Sequence, residues 1–159
     1  MGQSMRPGPA AAIAIVPVVA AWLAGTLATF SNLDPWYAGL VKPDFSPPNW
    51  VFAPVWISLY FLMMFAVYRI LRSEHQSRQL ALTAFLLQLL LNAAWSWLFF
   101  AAQSPLLGTI NIVPQFALVV VSAREFFRID RLAGWALAPL CLWVGFAAVL
   151  NLSILWLNN

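Results

Sequence analysis

The stretch QLALTAFLLQLLLNAAWSWLFFAAQSPLLGTINIVPQFALVVVSA, Gln79 to Ala123, runs for 45 residues without one ionisable side chain. As a single helix it would measure about 67 Å, roughly twice the hydrocarbon core of a bilayer. Near its middle stands Gln103-Ser104-Pro105, a polar break ending in proline. Two membrane-spanning helices joined by a tight turn account for it.

Outside this stretch lie three more uncharged runs, Pro7 to Leu33, Phe45 to Tyr68 and Leu132 to Asn159. Each exceeds the 18 or so residues that a spanning helix needs. In lipid the backbone must satisfy its own hydrogen bonds, so these segments are helices and not open strands. The expected fold is all-α: an integral membrane bundle of five helices over 10–30, 50–72, 79–102, 106–127 and 132–157. A structured loop over 31–49 follows the first helix, and residues 1–159 form one membrane domain. The composition agrees, with 63% apolar residues and only 8% charged ones. Ordinary soluble domains have about 45–50% and about 25%. The first apolar run is longer than the core of a secretory signal, so it reads as a span and not a cleaved leader.

Charge sets the expected orientation. Five helices place Arg6, Arg69, Arg72, Arg78, Arg124, Arg128 and Arg131 on one side and Lys42 on the other. By the positive-inside rule the N-terminus is cytoplasmic and the C-terminus outside, in a bacterial inner membrane. The net charge of +3 is a topology signal and not a nucleic-acid patch. Cys141 is the only cysteine and His75 the only histidine. Neither a metal site nor a nucleophile–base pair can be assembled from them.

Several side chains exceed what a membrane anchor requires. The loop carries four prolines and aromatic residues including Trp36 and Tyr37, which suggests a stiff lid, with Ser46 as the expected N-cap of the second helix. Pro54 predicts a kink or a lost backbone bond in that helix. Trp56 and Tyr60 share a helix face. Gln88, Asn92, Trp95 and Phe99 form a stripe on the third helix, and Pro139, Trp143, Ala147 and Asn151 one on the fifth. The fourth has Asn111, Pro114 and Gln115, which can serve packing. Amides within a span avoid lipid, whether they bond a neighbouring helix or a ligand. Converging, the faces make an aromatic pocket with a few polar handles, suited to a flat hydrophobic ligand. Ion coupling normally leaves intramembrane carboxylates or histidines, and here only Glu125 lies near a span's end.

The ordered motifs Trp36-Tyr37-Ala38-Gly39-Leu40, Lys42-Pro43, Pro47-Pro48, Pro54-Val55-Trp56, Leu59-Tyr60, Gln88-Leu89-x-Leu91-Asn92-x-x-Trp95, Phe99-Phe100, Pro139-x-x-x-Trp143, Phe146-Ala147 and Val149-Leu150-Asn151 resemble the TspO/MBR family. That family comprises the translocator protein, or peripheral-type benzodiazepine receptor, and bacterial tryptophan-rich sensory relatives. The resemblance implies a five-helix bundle, often a homodimer, that binds tetrapyrroles such as protoporphyrin IX or haem as ligand, with no cofactor required. It implies a pocket of Tyr37, Trp56, Tyr60, Asn92, Trp95, Trp143 and Ala147. It also implies that Trp56 and Trp143 are the catalytic pair if porphyrin is degraded in light. The small residues Ala20, Ala24 and Gly25 would allow close helix approach in a dimer.

The departures are specific. Phe45 and Leu140 replace a tryptophan and a common tyrosine. The tyrosine and arginine of the animal cholesterol motif are Leu152 and Trp156 here, so cholesterol is not an expected partner. A loose cholesterol pattern at Leu62, Tyr68 and Arg72 is a chance match. The best reading is a membrane receptor or sensor for porphyrin-type ligands that affects their transport or fate. The alternatives are a light-dependent porphyrin-degrading enzyme and a secondary transporter of hydrophobic ligands.

Overall fold

In the computed structural model, which describes residues 4–159, five helices alternate in direction: α1 Pro7–Phe30, α2 Asn49–Leu71, α3 Arg78–Ser96, α4 Pro105–Ile129 and α5 Arg131–Leu157. Residues 1–3 of the expected domain lie outside that description. A wide π turn over Trp97–Ala101 prolongs α3, so all five helices are long and apolar enough to cross a membrane. The protein is an integral membrane protein with an all-α fold.

The ends follow local chemistry. Pro7 and Pro105 occupy the first turns of α1 and α4, where a missing N–H is harmless. The expected break between α3 and α4 is present: Gln103 takes a left-handed φ of 51°, and Ser104 Oγ accepts from the Leu107 N–H at 3.2 Å to cap α4. Pro17, Pro54, Pro114 and Pro139 all lie inside continuous helices. Ser46 does not cap α2. That helix begins at Asn49 after Pro48, because a residue before proline is steered away from helical backbone and both Ser46 and Pro47 precede one. The Ser46 N–H instead donates to the Pro43 carbonyl at 2.9 Å.

Sequence order is not spatial order. α1 packs on α2 and α3, α2 on α5, and α4 on both α3 and α5. Around the bundle the order is therefore α1, α2, α5, α4, α3. In the half near the N-terminus Ala10, Ala14, Met63, Ala66, Ile70, Ala81, Phe85, Val119, Phe126, Ala133 and Leu137 are all buried, and the space left between α1, α2 and α3 is a pocket of only about 60 Å³ beside Ala14, Val18 and Phe85. Alanines on α1 let that helix approach its neighbours closely.

At the same end the segments are tied together. The Met5 N–H donates to the Leu71 carbonyl, and Arg72 donates to the Met5 carbonyl at 2.7 Å. Asp130 is the whole α4–α5 connection. One carboxylate oxygen caps α5 through the Leu132 and Ala133 N–H groups, and the other binds Arg69 of α2 at 2.7–2.8 Å. The Arg69 hydrogen bond foremost holds the Asp130 carboxyl below its ordinary value of 3.8. A carboxyl lowered in the folded state contributes stability above its unfolded pKa and loses it as pH falls through the folded one. Asp130→Asn is therefore expected to lower the apparent Tm at neutral pH and to flatten its decline below about pH 4. Equal slopes in both proteins would remove Arg69–Asp130 from the account.

The arginines of the helix ends gather at this tied end, whereas Lys42 lies at the other, beside the α5 C-terminus. There the Val41 N–H donates to Asn158 Oδ1, and Asn158 Nδ2 returns a bond to the Val41 carbonyl, both at 2.9 Å.

Candidate functional site: an aromatic cavity under the loop

In the half of the bundle nearest Lys42 the interior opens into a cavity of about 410 Å³, within the usual range for small-molecule sites. Tyr37, Trp56, Tyr60, Asn92, Trp95, Trp143 and Ala147 all line it. Pro139, the first member of the α5 stripe, does not. It faces outward, since four-residue steps drift around a helix of 3.6 residues per turn.

The roof is the loop. A kinked segment over Leu33–Tyr37, in which Asp34 is extended (φ −117°, ψ 142°), turns Tyr37 inward, where its ring meets Phe99 and Phe100 edge-on at 6.2 and 5.3 Å. Lys42 Nζ sits 4.4 Å from the Tyr37 ring centroid and donates to the Tyr37 carbonyl at 2.7 Å. Burial raises the Tyr37 phenol above its ordinary 10.0, so it stays neutral. Phe45 packs edge-on against Phe146 of α5. Not every interfacial aromatic belongs to the roof: Trp50, Trp135 and Trp156 are 66–81% exposed, as a membrane-interface belt requires.

The walls are rings. Trp22 stacks on Tyr60 at 5.7 Å, Tyr60 meets Trp56 at 5.6 Å, and Phe52 meets Trp143 edge-on at 5.7 Å. Trp95 stacks on Phe99 at 4.9 Å. The π turn after Ser96 brings Phe99 and Phe100, adjacent in sequence, both into the interior.

α1 contributes a wall that the sequence motifs do not mark. Trp22, Thr26 and Thr29 line the cavity with the i, i+4, i+7 spacing of one face, a signal diluted by the apolar residues around it. Gly25 is also used within the bundle: a Cβ there would stand 3.3 Å from Ser96 Oγ of α3. This corrects its expected place in a dimer contact. Ala20 faces outward and Ala24 is half-buried.

The polar groups divide by how fully they are used. Asn151 is saturated: it accepts from Trp95 Nε1 at 3.1 Å and donates to Thr109 Oγ1 at 2.6 Å and to the Pro105 carbonyl at 2.9 Å. Asn92 accepts from the Tyr60 hydroxyl at 3.0 Å. Asn111 serves packing, donating to the Leu91 carbonyl of α3 at 2.9 Å. By contrast Trp143 Nε1 and Gln115 Oε1 are buried without a hydrogen-bond partner among the described residues. The cavity lining contains no Asp, Glu, His, Lys or Arg; its titratable side chains are the phenols of Tyr37 and Tyr60.

Residues 12–157 match the model of the TspO/MBR family. The chain belongs to the TspO/MBR family. Its relatives include a tryptophan-rich protein TspO of Chlorobaculum tepidum, 36% identical over 92% of this chain and 94% of that one. The translocator protein of Sus scrofa is 34% identical over 95% of this chain and 90% of its own length. A tryptophan-rich sensory protein of Cereibacter sphaeroides is 34% identical over 79% and 78%. The match runs from within α1 to the end of α5, so every residue that lines the cavity lies within the matched region.

Proposed function

We propose that this TspO/MBR protein is a membrane receptor or sensor that holds a flat hydrophobic ligand of the porphyrin type, protoporphyrin IX or haem, in the cavity beneath the loop, and so affects its transport or fate. The observation that carries the reading is the cavity itself. An unfilled cavity costs about 24 cal/mol per Å³ in a core. The space here, about 410 Å³, leaves its lining side chains without packing partners on one side. Selection for stability alone would fill it with larger side chains. An acyl chain could enter the same space, but stacked indole and phenol walls with isolated polar handles favour a rigid ring system.

Ring stacking and the neutral lining support binding of a flat hydrophobic ligand. Tyr37 closes the top, Trp56, Tyr60, Trp95 and Trp143 supply the faces, Asn92 a polar handle, and Ala147 the room for a ring. The bundle is read as one membrane domain over 1–159, a homodimer in lipid, with its N-terminus in the cytoplasm of a bacterial inner membrane and its C-terminus outside. The arginines at the tied end support that orientation.

A second reading keeps the same cavity. Light-dependent degradation of bound porphyrin would draw on Trp56 and Trp143, whose indoles can react with an excited macrocycle or its radicals. Titrating the purified protein with protoporphyrin IX in the dark tests the first reading: saturable quenching of tryptophan fluorescence is expected, and a linear, non-saturating response would contradict it. Trp143→Phe should shift dark affinity by less than about threefold, under 1 kcal/mol. If Trp143 also degrades the ligand, the same variant should sharply slow the loss of ligand absorbance under light. Equal rates would exclude Trp143 from any such reaction.

A further inference from the structure

Five of the eight serines and threonines within the helices donate their hydroxyl to the carbonyl four residues earlier. They are Thr29, Ser58, Thr109, Ser122 and Ser153, at 2.7–2.9 Å. That bond is the local way to satisfy a hydroxyl in a membrane-spanning helix. Thr26, Thr83 and Ser96 do not make it. Thr83 is exposed and lies away from the cavity. Thr26 and Ser96 both line the cavity, and neither hydroxyl has a hydrogen-bond partner among the described residues.

A third polar group joins them. Asn92 is 6% exposed, lines the cavity and accepts from Tyr60 through its oxygen. Its Nδ2 has no partner among the described residues. Trp143 Nε1 and Gln115 Oε1 are sealed inside the protein, whereas the Asn92 nitrogen and the two hydroxyls are not. Asn92 and Ser96 stand four residues apart on one face of α3, about 6 Å along its axis. Thr26 follows Gly25, where a Cβ would stand 3.3 Å from Ser96 Oγ. The three groups therefore follow the seam between α1 and α3. Phe52, Trp56 and Trp143 stand across the cavity on α2 and α5.

We propose that Thr26, Ser96 and Asn92 form a donor strip that sets specificity by binding a neutral oxygen acceptor, a carbonyl or protonated carboxyl group, on one edge of a flat ligand. The inference rests on the cavity being a ligand chamber. It gives the bound ring an orientation. The acceptor edge meets the α1–α3 seam, and the apolar remainder lies among the rings of α2 and α5. The acceptor is neutral because the lining holds no cation to compensate a buried carboxylate. A purely apolar ring of the same shape leaves the donors unpaired, so it binds more weakly than one carrying the acceptor.

Fluorenone and fluorene provide the test. They share one flat tricyclic frame, and a carbonyl in the first replaces a methylene in the second. Tryptophan quenching in the full-length protein gives both dissociation constants. The ratio of the fluorene constant to the fluorenone constant is expected to fall at least fivefold when Thr26→Val and Ser96→Ala are combined, which corresponds to about 1 kcal/mol. Both substitutions remove a hydroxyl and nearly keep the shape. Ser96→Ala alone should give part of the fall and guards against a double variant that does not fold. Thr83→Val removes a hydroxyl outside the cavity and should leave the ratio at its wild-type value. A ratio equal in wild type and double variant overturns the proposal, since the strip would then serve water alone. Failure of fluorenone to bind wild type overturns it too. Protoporphyrin IX titrated into the same samples separates this inference from its premise. Porphyrin binding with an unchanged probe ratio removes only the donor strip. A probe ratio that falls in the variants without porphyrin binding keeps the strip and removes the tetrapyrrole.

Discussion

Replacing Ala147 by phenylalanine is expected to weaken protoporphyrin IX binding by at least thirtyfold while leaving the bundle folded. Ala147 lies on the cavity wall of α5, one turn beyond Trp143, and is half-buried. A ring placed there enters the space that the ligand's ring would occupy. The loss corresponds to about 2 kcal/mol, since each tenfold in affinity is about 1.4 kcal/mol. Overpacking a solid core usually destabilises by about 1–3 kcal/mol, but here the added group enters an existing cavity. The apparent Tm is therefore expected to hold or rise. Leu142→Phe is the matched control: the same helix and the same new ring, on a side chain that is 76% exposed. It should leave affinity unchanged. Equal affinity in wild type and Ala147→Phe would place the ligand elsewhere on the protein.

The second large effect concerns Asn151. One amide joins three helices near the cavity's outer end: Trp95 from α3, Thr109 and the Pro105 carbonyl from α4, and its own α5. Asn151→Leu removes the acceptor of the Trp95 indole and the donor to Thr109 and Pro105. Interhelical hydrogen bonds in membranes average about 0.6 kcal/mol and reach about 1–2 kcal/mol, and newly unpartnered buried groups add to the loss. The expected destabilisation is about 2 kcal/mol or more, read as a lower apparent Tm in detergent. Porphyrin affinity should fall as well, because Trp95 loses the bond that sets its ring plane. Gly108→Val offers an independent route to the same defect. Even a Cβ at position 108 would stand 2.8 Å from Asn151 Oδ1 and 2.9 Å from a ring carbon of Phe99. A leucine variant that melts with wild type would show that the amide does not hold the three helices together.

Much of this was legible in the sequence, because a bilayer leaves few choices. Runs of more than 20 apolar residues have to be helices, and Gln103-Ser104-Pro105 could hardly be anything but a turn. The helix limits came within about three residues. The largest difference is at the start of α1, which begins at Pro7 and not at residue 10, because proline is tolerated in a first helical turn; α4, expected over 106–127, runs through Arg128 to Ile129. The α3 and α5 faces were readable since an amide among apolar residues marks a direction, and the α2 face since Trp56 and Tyr60 stand four residues apart. α1 was not, for it approaches its neighbours with alanine and glycine, and only Trp22, Thr26 and Thr29 reveal its inner side. Gln115 and Asn111, one helical turn apart in sequence, had read alike as packing groups. Their difference lies in tertiary contacts, since a carbonyl of α3 meets Asn111 and nothing in the fold meets the Gln115 oxygen. The expected cap at Ser46 failed for a local reason, two successive prolines. Asp130 was passed over as part of a turn, although aspartate is among the strongest N-caps and Arg69 was available to pair with it.

The central claim concerns where the ligand sits, and zinc protoporphyrin reports its own position. Crystals of the wild-type protein grown with it should show an anomalous peak inside the bundle, between Trp56 of α2 and Trp143 of α5 and beneath Tyr37. A peak confined to the outer helix faces beside Trp50, Trp135 or Trp156, with the inner cavity taken up by lipid, would contradict the account.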